Sequence, residues 1–389
     1  MTIINTLFDT YTRIFGQFDA RTCGIMSMKD GPSENPWRTT LVPLSFHHQS
    51  LYEGISAMSL FHAAREQPAL KMEAMEHMRR SIRALMVGIN TMPADVALAT
   101  TVTLAMCEVW DREITSGIAH LRGAKVLIRQ LLASFRNPAR PRPESDLRRF
   151  KMLFNTWQYL NVLSKLTCET DDDDDPLDAV FDDEVDPLMG CAQALFPLIG
   201  AVADLIRKVR AAGGRASSED LARAEFLRDA IVAWEPPLNL RLETSEDPQY
   251  DTDSCVATAE AYQHSILLYL HICLPTLLFA PTSPQSTAEL AQRVLDLLMS
   301  VPLSSRTVVV HLFPLLSAGC EFDGAVEREV VRDRWHALEK RLQLGNVSRA
   351  FDVVEEVWRR RRFGGNLGPQ GYSSWSWVMK EWRWQVLVG

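Results

Sequence analysis

Apolar residues recur at every third or fourth position through residues 51–61, 72–86, 118–132, 147–166, 188–209 and 326–342. That spacing is the period of a helix with one buried face. In the last of these stretches Val326, Val330, Val331, Trp335, Leu338 and Leu342 fall on one side. Glu327, Arg328, Asp333, Arg334 and Lys340 fall largely on the other, so this stretch predicts an amphipathic helix packed on a core. Helix-start signals agree with the periodicity. Ser217 with Asp220, and Ser286 with Glu289, have the spacing of a capping box or its acidic variant. Asp186 before Pro187 reads as a cap followed by proline at the first helical position, and Ser348 is placed to cap a helix running to Arg361. No segment alternates with period two for long enough to demand a sheet. The expectation is an all-α fold: one large domain over residues 1–389, built of antiparallel helical hairpins, with about fourteen helices.

Four stretches interrupt the pattern. Residues 16–36 form a Gly/Pro/Ser-rich opening loop, and residues 136–143 (RNPARPRP) form a basic, proline-rich connector. Residues 167–186 form an acidic loop with Asp171 to Asp175 consecutive. Residues 364–371 precede a Trp-rich C-terminal helix at 372–388. In that last helix positions 375, 378, 379 and 382 share a face, which predicts packing onto the core.

Composition narrows the class. Apolar residues make up 47% and charged residues 23%, enough for a substantial core. A net charge of −8 argues against direct nucleic-acid binding by this chain, because a phosphate backbone selects a basic footprint. Residues 96–107 and 265–280 are the most apolar runs. The first is too short to span a bilayer, and His271 and Pro275 break the second; both read as buried helices, with no membrane partner. The opening residues alternate apolar and polar side chains, unlike a secretory leader. The seven cysteines, at 23, 107, 168, 191, 255, 273 and 320, are too far apart for a C-x2-C zinc motif. They read as free thiols in a reducing, intracellular compartment.

Candidate chemistry is sparse. Glu108 and His120 flank a short turn, so in an antiparallel hairpin their side chains meet near its end. They read as a structural latch, or as a ligand-sensing or acid/base pair. Gly123 and Ala124 would let the two helices approach closely. If the chain is an enzyme, Glu108, Asp111 and His120 are the catalytic candidates; otherwise no catalytic residue is assigned. The aspartate run invites comparison with the magnesium motif of terpene cyclases, but it precedes Pro176 and no second metal motif follows, so it reads as a solvated loop. No metal site, cofactor-binding fingerprint or cofactor is assigned. The basic cluster Arg359 to Arg362 ends a helix, where it favours the helix dipole; a weak nuclear-import signal and a contact with nucleic acid are the other readings.

Five segments in order resemble the fungal-specific transcription factor domain family, the regulatory part of fungal zinc binuclear cluster activators. They are NPWRTTLVPLS (35–45), residues 94–132 with H-L-x-G-A at their centre, DPLMGCAQALFPLIGAVADLI (186–206), WEPPLNL followed by YQHSILLYLHICLP (262–275), and FPLLSAGCEF (313–322) followed by VEEVW (354–358). The resemblance implies a regulatory, effector-sensing domain of metabolic or secondary-metabolite genes, in the nucleus or shuttling with the cytoplasm. It implies protein partners from the transcription machinery or a zinc-cluster-bearing subunit, a small apolar ligand, and a homodimer. The family's six-cysteine zinc cluster has no counterpart in this sequence, so DNA binding is not carried over. The alternative is the same scaffold recruited as a cyclase- or isomerase-type enzyme of secondary metabolism.

Overall fold

The computed structural model describes residues 12–110, 117–136, 143–167, 185–237, 244–275, 286–363 and 374–384. Among them the fold is all-α: no strand is present, and a lone bridge joins Asp186 and Gly190. Thirteen described helices are seven residues or longer. In chain order they are α1 (Gln49–Ala63), α2 (Lys71–Gly88), α3 (Ala94–Trp110), α4 (Ile118–Phe135), α5 (Glu144–Thr167), α6 (Phe196–Ala211) and α7 (Ser218–Val232). They continue with α8 (Thr252–Cys273), α9 (Thr287–Ser300), α10 (Leu312–Gly319), α11 (Ala325–Leu342), α12 (Gly345–Phe363) and α13 (Trp375–Glu381). Tertiary contacts divide the chain into two compact units. One holds Met1–Gln158, Ser245–Pro248 and Gln343–Asn346; the other holds Tyr159–Thr244, Gln249–Leu342 and Val347–Gly389.

In the first unit α1 packs against both α2 and α3, and α3 against α4. The α1 seam is made of small residues. A Cβ added at Gly54 would lie 3.2 Å from Ser81 Oγ and 3.3 Å from Thr103 Cγ2, so the residue's lack of a side chain sets the approach of both neighbours. Ser81 donates to the Ser50 carbonyl at 2.7 Å, which satisfies a buried hydroxyl inside that seam. The NPWR segment also has a local physical basis. Asn35 is fully buried and donates to the Cys23 carbonyl and to Asp30 Oδ1, while Arg38 binds the Asp30 carboxylate at 2.9 Å. These bonds tie the opening stretch to the helical turn at Trp37–Leu41; the expected loop is not a loop throughout, because Phe18–Thr22 and Cys23–Ile25 are helical and bury Phe18 and Cys23.

The second unit is threaded by stacked and tilted aromatic rings. Tyr159, Phe196, Tyr262, Phe313 and Trp375 succeed one another at centroid distances of 5.5, 5.5, 5.8 and 6.2 Å, and Trp375 then stacks on Tyr269 at 5.0 Å. Each ring comes from a different helix except Tyr262 and Tyr269, which share α8. The C-terminal helix is shorter than the expected 372–388: it is present as α13, which ends at Glu381 with Trp382 as its cap, and its residues 375, 378 and 379 are fully buried. Both capping boxes form: the Asp220 and Glu289 amides donate to Ser217 and Ser286, and each carboxylate accepts from the cap amide in return.

Three further local expectations differ from the structure. Asp186 does not start a helix; its Oδ1 accepts from the amides of Leu188 and Met189 in a turn, and α6 begins at Phe196. Pro197, rather than Pro187, occupies the first helical turn, where a missing amide costs nothing. Ser348 lies inside α12, which starts at Gly345 because Val347 is already 1% exposed and anchors the first turn. Val326 is 75% exposed, whereas Arg328 and Arg334 are buried. Arg328 donates to the Phe322 carbonyl and lies over the Trp358 ring, so its stem joins the apolar face. The acidic tract at 168–184 and the segment 364–373 lie outside the described residues.

Candidate functional site

The turn side of the α3–α4 hairpin places the sequence-derived pair as expected. His120 Nε2 lies 3.3 Å from Glu108 Oε1, with side chains 18% and 15% exposed. Gly117 caps α4 with φ +70°, and a Cβ there would sit 2.8 Å from the Ala105 carbonyl oxygen. Glycine therefore lets α4 begin directly against α3. Gly123 and Ala124 lie against α3 as well: a Cβ on Gly123 meets Thr101 at 3.9 Å, and Ala124 is fully buried. Glu108 and His120 bridge the two helices, a placement suited to a latch. Asp111, the third candidate, lies outside the described residues. A more buried pair had no spacing signal: His77 Nδ1 approaches Glu53 Oε2 at 2.6 Å, joining α2 to α1.

In the second unit the chemistry concentrates where the end of α5, the last turns of α6, α8 and α13 meet. They enclose a cavity of about 30 Å³, room for about one or two water-sized groups. Lys165, Arg207, Arg210 and Lys380 line it, and among the described residues no lining residue is acidic. Asp204, just outside, bridges Lys165 at 2.9 Å and Arg207 at 2.7 Å. Arg210 is held differently. Its Nη2 donates to Ser376 Oγ at 2.6 Å and to Cys273 Sγ at 3.2 Å, and the guanidinium lies 5.7 Å from the centre of the Tyr269 ring. Burial pushes the Tyr269 phenol and the Cys273 thiol up from their ordinary values, so both partners are neutral near pH 7. Arg210 is thus satisfied by several neutral groups, Tyr269 among its hydrogen-bonding partners.

A second buried cation lies on α11. Arg334 is 5% exposed, donates to the Val301 carbonyl at 3.0 Å and approaches His311 Nδ1 at 3.5 Å. Its Nε has no hydrogen-bond acceptor among the described residues. Burial, with Arg341 nearby, pulls the Arg334 guanidinium down to about 10. Burial, then Arg334 and Arg341, hold the His311 imidazole well below its ordinary value. Thr258 donates its hydroxyl to the Ser254 carbonyl, so its oxygen accepts from His311 Nε2 at 2.9 Å. That assignment leaves Nδ1 as the acceptor facing Arg334, the neutral tautomer that suits a buried cation. The basic run at the end of α12 is held by acids: Arg359 and Arg360 by Glu356, Arg360 also by Glu381, and Arg361 by Glu321.

Among the described residues no group of three or more His, Cys, Asp or Glu side chains is placed to hold a metal ion. No described helix is long and apolar enough to cross a membrane. The family model for the fungal specific transcription factor domain matches residues 13–389. No curated protein and no solved structure matches the chain.

Proposed function

The chain belongs to the fungal specific transcription factor domain family, and from that premise we propose that it is the regulatory body of a nuclear transcription regulator. It senses a signal and passes that state to the DNA-binding and activating parts. The observation that carries this reading is the extent of the match: residues 13–389 take in both compact units, so the whole helical body falls inside one regulatory family. Contact with DNA is supplied by another segment or by a zinc-cluster-bearing partner. A net charge of −8 supports that division of labour, as does the pairing of Arg359, Arg360 and Arg361 with glutamates. Genes of metabolism, including secondary metabolism, are the proposed targets. The signal acts by differential affinity: a ligand or partner shifts the module between two states only as far as it binds one better.

The test is complementation in the host. Cells lacking the chain should lose or gain a defined set of transcripts, and a fluorescently tagged copy should restore them while accumulating in nuclei. A tagged copy that stays outside the nucleus and leaves transcripts unchanged would overturn the proposal.

A further inference from the structure

We propose that the outward face of α2 is a self-association surface, on which a second copy of this chain docks with its own α2 antiparallel, across a two-fold axis at Arg79. The family resemblance gives a homodimer without a surface; the surface follows from α2 itself.

Exposure marks the face. Among the described residues thirteen large apolar side chains are exposed, and five of them, Met72, Met75, Met86, Val87 and Ile89, lie on α2 or its C-cap. At about 100° per residue, Met72, Met75, Ile82 and Met86 form one stripe. It points away from Ala74, His77, Ser81 and Leu85, which are buried against the rest of the unit. Met72 and Met86, at its two ends, are 73% and 72% exposed. A stripe about 21 Å long gains by leaving water, and unbranched methionines fit a facing helix without a preformed groove.

Charge complementarity selects the occupant. Along α2, Glu73 and Glu76 come before Arg79, Arg80 and Arg83, so the helix is acidic first and basic afterwards. Glu76 and Arg83 stand on the same edge of the stripe, about one turn on either side of Arg79. A two-fold antiparallel pair sets each edge against the same edge of its partner. Glu76 then meets the partner's Arg83 twice, while Met72 meets the partner's Met86 and Met75 the partner's Ile82. A parallel pair would set Glu76 against Glu76 and Arg83 against Arg83. Arg83 is exposed and has no hydrogen-bond or ion-pair partner among the described residues. Glu76 holds Arg79 at 2.8 Å and Arg80 at 3.1 Å, yet its side chain is 38% exposed and a carboxylate accepts further donors. Arg79 reaches the axis already paired with Glu76, which offsets the repulsion between its two copies. One helix face is smaller than the roughly 800 Å² per partner of a standard interface, so the dissociation constant should be roughly 10–100 μM.

Sedimentation velocity of the full chain, from about 1 to about 300 μM, tests this. The mass should rise with concentration from 44.0 kDa toward twice that value. Met86→Glu, which puts an unpaired charge into the stripe, should weaken association by about tenfold or more. Arg83→Glu and Glu76→Lys should each weaken it by about threefold to tenfold. Mixed together, those two variants should pair with about wild-type affinity, because both cross-helix contacts again join opposite charges. Arg83 and Met86 are exposed, so their replacement leaves the fold intact. Monomer mass at every concentration would overturn the proposal and leave the face to a different partner. So would a dimer that Met86→Glu and Arg83→Glu leave unchanged. Weakened variants that do not recover on mixing would overturn the antiparallel arrangement.

Discussion

Arg334 Nη2 lies 3.5 Å from His311 Nδ1, so a buried guanidinium rests against the one ring nitrogen of that histidine able to accept a proton. The neutral imidazole is thus built into the folded second unit. Burial also lowers the proton affinity of His271, helped by Arg228, and of His264, where Arg293 adds to it. Groups that resist protonation when folded bind fewer protons than they do unfolded. Their contribution is complete above the unfolded value of about 6.5 and is lost as pH falls below it. The urea midpoint should therefore drop between pH 7.5 and pH 5.5, each such histidine costing at most about 1.4 kcal/mol per pH unit. His311→Gln should flatten that slope while lowering stability at pH 7.5. An unchanged slope in the variant would show that His311 titrates freely in the folded protein.

Gly117→Ala should destabilise the first unit by about 2 kcal/mol. The substitution forces a side chain into the left-handed region at φ +70° and drives Cβ against the Ala105 carbonyl. Gly213→Ala, also at positive φ but with open space around it, separates the two causes and should cost about 1 kcal/mol. Chemical denaturation of both variants measures the difference.

The Glu108–His120 bridge is assigned a latching role, which a double-mutant cycle can quantify. Glu108→Gln and His120→Asn should each cost about 0.5–1 kcal/mol, with a coupling of similar size because the pair is only partly shielded. Zero coupling would mean that the two side chains merely lie near each other. A loss of transcriptional output far beyond the loss of stability would instead assign the pair a sensing role.

Trp375→Ala should cost about 3–5 kcal/mol, since the indole is fully buried between Tyr269 and Phe313. Trp382→Ala, at the half-buried end of the same segment, should cost less than about 1 kcal/mol. Comparable losses at both positions would contradict the seating of α13 through Trp375.

Local patterns were legible in the sequence where one helix decides the outcome. The periodicity at 118–132 became α4, the Ser217 and Ser286 boxes became real caps, and residues 375, 378 and 379 became the buried face of α13. The same reasoning misplaced Arg334. A helical wheel sorts residues by charge, yet a long guanidinium stem lies among apolar side chains once its head reaches a carbonyl such as that of Val301. It misplaced the start of α6 as well, because Asp186–Pro187 and the true first turn at Phe196–Pro197 carry similar local signals. The Glu108–His120 pair was visible because both residues flank one turn. The basic pocket was not, since Lys165, Arg210, Tyr269 and Lys380 come from four helices spread over more than two hundred positions, with no spacing to betray them.

The central claim is that this chain carries regulatory information to a transcription complex. Its most direct measurement is a tethered reporter: residues 1–389 fused to a heterologous DNA-binding module upstream of a reporter gene, compared with that module alone. The account predicts that the fusion changes reporter output by several-fold in either direction, and that Trp375→Ala, which unseats α13, abolishes the change at equal protein level. Identical output from the fusion and the bare module, in host cells that supply the natural partners, would contradict it.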